Sequence, residues 1–263
     1  VAHEICDFLQ EKMRAPHGGG WHWLPPTGPR LPNPHMHMLE ACLALFEASG
    51  EPRFLDQARE VVALFRGRLF DGRNVGERFT HDWGRVGGEE GRALEPGHQF
   101  EWAWILAQYQ RIAGEDMTQS ASALVAFGEP GVSSNSHAVV DSVRDDGTPL
   151  SLSSRSWCNT ERIKAHLALF EMGRNEAVAE VGESLDLLLD RYLAVEPLGL
   201  WIDHFDGEGR PISKTVPASI FYHLFLCFSE IARLEPHLRS AQSGIPSQLK
   251  RQPANGLPDD PLS

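Results

Sequence analysis

Glu95-Pro96-Gly97-His98-Gln99-Phe100-Glu101-Trp102-Ala103-Trp104 decides how the rest of this 263-residue chain is read. Pro96-Gly97 interrupts what precedes it, and an apolar helical run begins directly after. His98, Glu101 and Trp102 stand at i, i+3 and i+4. An imidazole, a carboxylate and a large aromatic therefore share one face of the first helical turns. Backbone N–H groups at a helix start lack partners, and polar ligands gather there. Such a face suits a small polar substrate. The spacing fits a core-facing Trp beside a satisfied His equally well.

Working outward, the same kind of segment recurs. His37-Met38-Leu39-Glu40, the run around Glu101 and Thr160-Glu161-Arg162-Ile163 align on a glutamate at intervals of about 60 residues, and Tyr222-His223-Leu224 sits near the next step. Each unit reads as an apolar helix with a polar first turn, then a more amphipathic helix, then a long connection. Such hairpins cannot bury their faces alone and stack on their neighbours. An inner and an outer helix per unit predicts an α/α toroid with four inner and four outer helices. A closed ring of six hairpins would need about two more.

Between these units the chain reads in order as follows. A helix over 3–14 ends at His17-Gly18-Gly19-Gly20. A short strand is expected at Trp21-His22-Trp23-Leu24. Helices are predicted over 35–49, 52–67, 98–113, 117–127, 158–172, 175–193 and 216–234. Residues 69–95 form a long irregular connection, a kind of segment that often carries function. The alternation over 137–152 with Asp145-Asp146-Gly147 predicts a β-hairpin. Leu198 to Asp203 reads as another short strand, turning at Asp206-Gly207. The toroid is expected over 1–239, with a disordered, Pro- and Ser-rich tail over 240–263.

The formal net charge of −12 argues against nucleic acid or an acidic membrane surface as main partner. Cys6, Cys42, Cys158 and Cys227 are far apart and form no CxxC pair. They read as buried thiols of a reducing compartment, which points to the cytoplasm. No apolar run reaches the length of about 18 residues that a membrane span needs, and no signal peptide is visible. The sequence opens on Val1 and not Met, which leaves room for residues upstream.

Four blocks now stand out: Asn33-Pro34-His35-Met36-His37-Met38-Leu39-Glu40, then Glu95 to Trp102, then Arg155-Ser156-Trp157-Cys158-Asn159-Thr160-Glu161, then Lys214 to His223. In this order they resemble the N-acylglucosamine 2-epimerase superfamily of sugar epimerases and aldose–ketose isomerases, over about residues 3–235. The resemblance implies an all-α (α/α)6 barrel, here with about four of six hairpins and short β-hairpins in the connecting loops. It also implies that an N-terminal part, carrying the first hairpins and a substrate-contacting arginine, is absent from this sequence. By resemblance His98 and His223 are the acid/base pair, and His37 is a third pocket histidine. Glu101 and Glu161 orient the substrate or polarise a histidine, Trp102 and Trp157 stack on the sugar, and Asn33 and Arg155 complete the pocket. Where the family has Trp-Pro-Gln, this chain has Trp157-Cys158-Asn159.

The implied activity is interconversion of an aldose and a ketose, of the mannose–fructose type or its 6-phosphate. It would run through a cis-enediolate, with no cofactor and no metal. Histidine suits the proton transfers because it titrates near neutrality. A 2-epimerase of an N-acyl-hexosamine or a disaccharide uses the same chemistry. A glycoside hydrolase or lyase on the same toroid would instead need two flanking carboxylates, and Glu101 with Glu161 would be the pair. A sugar-binding fragment without activity is the third reading. Lys214, Arg30 and Arg155 are candidates to hold a hydroxyl or a phosphate. His35 is expected to be a neighbour and not a participant, and the His35-x-His37 spacing diverges too far on a helix for a metal pair. The expected partners are a small-molecule sugar and, in a homodimer, a second copy of the chain.

Overall fold

The structure, a computed structural model, describes residues 1–15, 20–22 and 27–243, with side chains through 239. Helices α1 (Ala2–Lys12), α2 (Asn33–Ser49) and α3 (Pro52–Leu64) come first, and α3 runs on into a π turn, Phe65–Leu69. After the short α4 (Gly88–Arg92) and strand β1 (Ala93–Leu94) come α5 (Pro96–Ala113) and α6 (Thr118–Gly128). Strands β2 (Ser142–Arg144), β3 (Pro149–Ser151) and β4 (Ser154–Arg155) lead into α7 (Ser156–Glu171). Helix α8 (Val178–Leu187), strand β5 (His204–Phe205) and α9 (Phe221–Ser243) complete the described chain.

Burial sorts the helices into two layers. In α7 every residue from Ser156 to Leu169 is buried, and in α5 nearly every residue from Pro96 to Tyr109. A helix covered on all sides belongs inside. In α3, by contrast, Phe54, Ala58, Val61 and Val62 form the one-sided spacing of a helix lying on a core. The inner helices α2, α5, α7 and α9 pack in sequence order, and α3, α6 and α8 each fold back on the inner helix before them. Helix α1 meets α3 through Arg53–Asp7, and Arg14 just after α1 meets it through Glu60. Apart from the short α4, the described residues thus hold four inner and four outer helices, as the repeat predicts.

Local chemistry sets the boundaries. Pro52 and Pro96 sit in the first turns of α3 and α5, where a missing N–H costs nothing. Gly114 closes α5 in the left-handed region at φ +74. Strands β1, β2 and β3 form an antiparallel sheet with the turn at Asp145-Asp146-Gly147, so the 137–152 hairpin is present in shortened form. The expected strand at 198–203 is not formed. The pairing falls instead on β5, where Ser154 faces Phe205 and Arg155 faces His204. Trp201 points into the core and its stretch carries no ladder. Trp21 makes an isolated antiparallel bridge to Arg14, and residues 16–19 and 23–26 of the first turn and expected strand lie outside the described residues. Helix α9 extends through Ser243, four residues into the stretch expected to be tail, and 244–263 lie outside the described residues. All four cysteines are buried free thiols. No helix among the described residues is long and apolar enough to cross a membrane.

Candidate functional site

Strand β1 runs straight into α5 and β4 straight into α7, so the sheets brace the N-terminal ends of the inner helices. At that end a cleft of about 580 Å³ is lined by Asn33, His37, Glu95, His98, Glu101, Arg155, Trp157, Ile220 and His223. The residues come from the opening turns of α2, α5, α7 and α9 and the segments just before them. The polar first turn of each repeat therefore serves the same cleft.

Trp157 is the centre of this arrangement. Its ring lies 5.2 Å from the His98 ring and 5.4 Å from the His223 ring, centroid to centroid. It packs this close to α5 because position 97 is glycine. A Cβ there would lie 2.7 Å from the Trp157 ring and 3.0 Å from Cys158 Sγ. The Arg155 guanidinium sits 5.2 Å from the centroid of the same ring.

Each histidine is held by a carboxylate. His98 Nδ1 is 2.9 Å from Glu77 Oε2, and His98 Nε2 is 2.9 Å from the Asn33 amide. Burial alone would lower the His98 pKa. The charge and hydrogen bond of Glu77, with Glu95 and Glu101 behind, reverse this and raise it to about 9. An imidazolium donates from both nitrogens, which requires the Asn33 amide, placed here with its nitrogen toward Nε2, to present its oxygen there instead. His223 Nδ1 is 2.7 Å from Glu161 Oε1. His37 is the most exposed of the three and stands 3.5 Å from Glu40 and 3.8 Å from Glu101. Burial pulls its pKa down, but the Glu40 hydrogen bond and the Glu101 charge leave it raised. Arg155 donates to Asp141 at 2.9 Å and to Glu95 at 2.8 Å, so its charge is already matched.

The structure brings Asn33, His37, His98, Glu101, Arg155, Trp157 and His223 to one cleft. Glu161 does not line it. Fully buried, it stands behind His223, in the place of a carboxylate that polarises a histidine. Trp102 corrects the expectation that it stacks on a sugar. It is 1% exposed, packs against Phe65 of the outer layer at 5.1 Å, and belongs to the hydrophobic core. Glu101 and Trp102 are neighbours about 100° apart around the helix, and here only the first faces the cleft. Lys214 is exposed and does not line the cleft. Arg30 lines a separate, more apolar cavity beside α1, with Trp21 and His35. His35 is structural: its Nε2 accepts the Trp21 N–H and its Nδ1 bonds the Leu31 carbonyl. Burial pushes its pKa down to about 4 and keeps it neutral.

Sequence reasoning did not find Glu77, Asp141 or Lys164 as site partners. Glu77 lies in the irregular 69–95 connection, and only its functional flavour was readable. Two groupings, His37–Glu40–Glu101 and Glu101–Glu161–His223, place their ligand atoms within 4.8 Å of one another. In the second, the Lys164 ammonium stands 2.8 Å from Glu161 Oε2 as the resident cation.

Comparison with known proteins places this geometry. A Rhizobium meliloti protein named mannose-6-phosphate isomerase is 36% identical over 215 residues, covering 77% of this chain and 56% of that protein. The chain thus spans little more than half the length of that relative. A structure titled D-mannose isomerase superposes with TM-score 0.78 at 19% identity, over 88% of this chain and 65% of the other. Cellobiose 2-epimerase from Spirochaeta thermophila superposes with TM-score 0.70 at 21% identity, over 90% and 64%. The sequence model for N-acylglucosamine 2-epimerase matches residues 1–227. With the four ordered blocks, the toroid and the histidine-lined cleft, this match places the chain in the N-acylglucosamine 2-epimerase family.

Proposed function

We propose that the chain carries the catalytic site of an aldose–ketose isomerase acting on a hexose of the mannose–fructose type. The observation that supports this best is the placing of His98 and His223 against one Trp157 ring, each backed by its own carboxylate. Isomerisation moves the C2 proton to C1 and the O2 proton to O1, through a cis-enediolate. His98, held protonated by Glu77, is placed to give a proton to the ring oxygen as the C1–O5 bond breaks and to take up the proton that O1 loses on becoming the carbonyl. His223, oriented by Glu161, takes the C2 proton and returns it to C1. Trp157 offers the apolar face that a sugar ring stacks on.

The two histidines also permit return of the proton to C2 from the opposite face, which is epimerisation, and product analysis separates the outcomes. Hydrolysis is poorly served. Glu161 is tied to His223 and Lys164, and Glu101 is 1% exposed with one oxygen unpartnered. Glu161 lies behind the cleft wall, so Glu101 lacks the second carboxylate of the expected pair with which to flank a glycosidic bond. The test uses His98→Asn and His223→Asn with mannose in deuterated water. Loss of ketose formation and of solvent-deuterium uptake by about 10²–10⁴-fold is expected for His223→Asn. Near-normal turnover by His223→Asn would sink the assignment.

A further inference from the structure

Lys164 has no part in the chemistry described so far, yet it is a fully buried lysine. It lies on α7 one turn after Glu161, with its side chain 0% exposed. Its ammonium is 2.8 Å from Glu161 Oε2 and 3.8 Å from the centroid of the Trp104 ring. A buried lysine is expensive unless a charge partner answers it. Here the partner is the carboxylate whose other oxygen holds His223.

The groups around it explain the need. From α5, Glu101 faces Glu161, with ligand atoms of the two carboxylates and His223 all within 4.8 Å. From α2 come Glu40 and His37. From α9 come Tyr222, which bonds Glu40, the buried thiol of Cys227, and Glu230 beyond Trp104. Two buried carboxylates this close do not both stay ionised without a cation. If Lys164 did not supply it, the cluster would take up a proton, on a carboxyl or on the His223 imidazole. Either way His223 would lose its anionic partner or its capacity to accept a proton.

We infer that Lys164 is a positioning residue for the isomerisation: its ammonium neutralises Glu161 from behind and leaves the His223 imidazole free to act as the base at carbon. The inference rests on the reading of His223 as proton carrier. The electrostatics agree. Burial pushes Glu161 up, but Lys164 and then His223 hold it below the usual carboxylate range. Burial and the Glu161 charge leave Glu101 higher, at about 6. Lys164 itself is raised despite its burial by Glu161 and Glu101, and stays charged.

The test is kcat and KM for mannose across pH in Lys164→Met, Lys164→Arg, His223→Asn and the double variant Lys164→Met with Glu101→Gln. In Lys164→Met the acid limb of kcat moves up by about one pH unit or more, so kcat drops by about tenfold at neutral pH and recovers in alkali, with KM little changed. Lys164→Arg keeps the limb where it was. The double variant removes one carboxylate with the cation. Read as the position of the limb on whatever turnover the Glu101 change leaves, it returns toward the original pH and keeps the test open should the single variant not fold. An unmoved acid limb, or an equal loss at every pH, overturns the role of Lys164. Normal turnover by His223→Asn instead overturns the function itself, so the two failures are told apart.

Discussion

Gly97 does for the cleft what no side chain could. The closest atoms to its missing Cβ are the Trp157 ring carbons at 2.7 Å, so any substituent pushes the indole away from both histidines. Gly97→Ala is expected to lower kcat/KM on mannose by about tenfold or more while costing about 1–3 kcal/mol of stability, the usual price of overpacking. Kinetics alongside urea melts check it, and an alanine variant with unchanged kcat/KM would show that the indole has room to move. At this scale the sequence was legible wherever chemistry and spacing coincide. His37, His98 and His223 recur at the starts of like helices, and all three line the cleft. The carboxylate partner of His98 was not legible, because Glu77 reaches it from an irregular segment whose path no period encodes. Trp102 was misread for a related reason. Sequence spacing puts it near His98 on the helix, but the packing of Phe65 from the π turn after α3 decides which way that sector faces.

Among the elements, the junction of α6, α7 and α8 depends on one carboxylate. Glu129, just after α6, accepts both Nε and Nη2 of Arg162 at 2.8 Å and meets His166 Nε2 at 2.9 Å, while Arg162 reaches Ser184 of α8. Burial raises the Glu129 pKa, but the hydrogen bonds of His166 and Arg162 bring it down to about 2 from an ordinary 4.5. Since the folded value is the lower one, the stabilisation is complete above about 4.5 and is lost as pH falls toward about 2. The shift alone is worth about 3 kcal/mol, and screening at a group one-third exposed reduces that to about 2. Glu129→Gln should therefore lower stability by about 2–4 kcal/mol at neutral pH, the upper figure reflecting an Arg162 left buried and unpaired. The gap to the parent protein should narrow as urea melts are repeated below the ordinary carboxylate pKa; a constant gap would place the stabilisation elsewhere. Helices were the readable elements here, since apolar runs bounded by Pro52, Pro96 and Gly114 leave little choice. The small strands were not. A two-residue ladder such as β4 with β5 is fixed by where α7 and the 198–213 loop meet in space, and the apolar stretch Leu198 to Asp203 finds no partner strand among the described residues.

Over the whole molecule the charge distribution bears on what the cleft accepts. The chain carries a net −12, and the cleft does not offset it locally. Its wall holds Glu95 and Glu101, with Glu77 and Asp141 immediately behind. Against these stand Arg155, already shared between Asp141 and Glu95, and the His98 imidazolium, already held by Glu77. Among the described residues no other arginine or lysine lines the site, since Lys214 is not in its wall, Arg30 is in another cavity and Lys164 is sealed beneath Glu161, and His37 already faces Glu40 and Glu101. A phosphate brings a charge of about −1.5 to −2 at neutral pH, and it meets this surface without an unmatched arginine or lysine to receive it. A neutral hexose meets no such cost. Mannose is therefore expected to show kcat/KM at least about tenfold above that of mannose 6-phosphate, equivalent to about 1.4 kcal/mol or more of unrelieved repulsion. The repulsion is screened by ions, so the ratio should shrink as sodium chloride rises from low to high concentration, through the phosphorylated sugar alone. Parallel initial rates on the two sugars at several ionic strengths make the measurement. A phosphorylated substrate that is preferred, and whose preference weakens with salt, would mean that a cationic group outside the described cleft takes the phosphate.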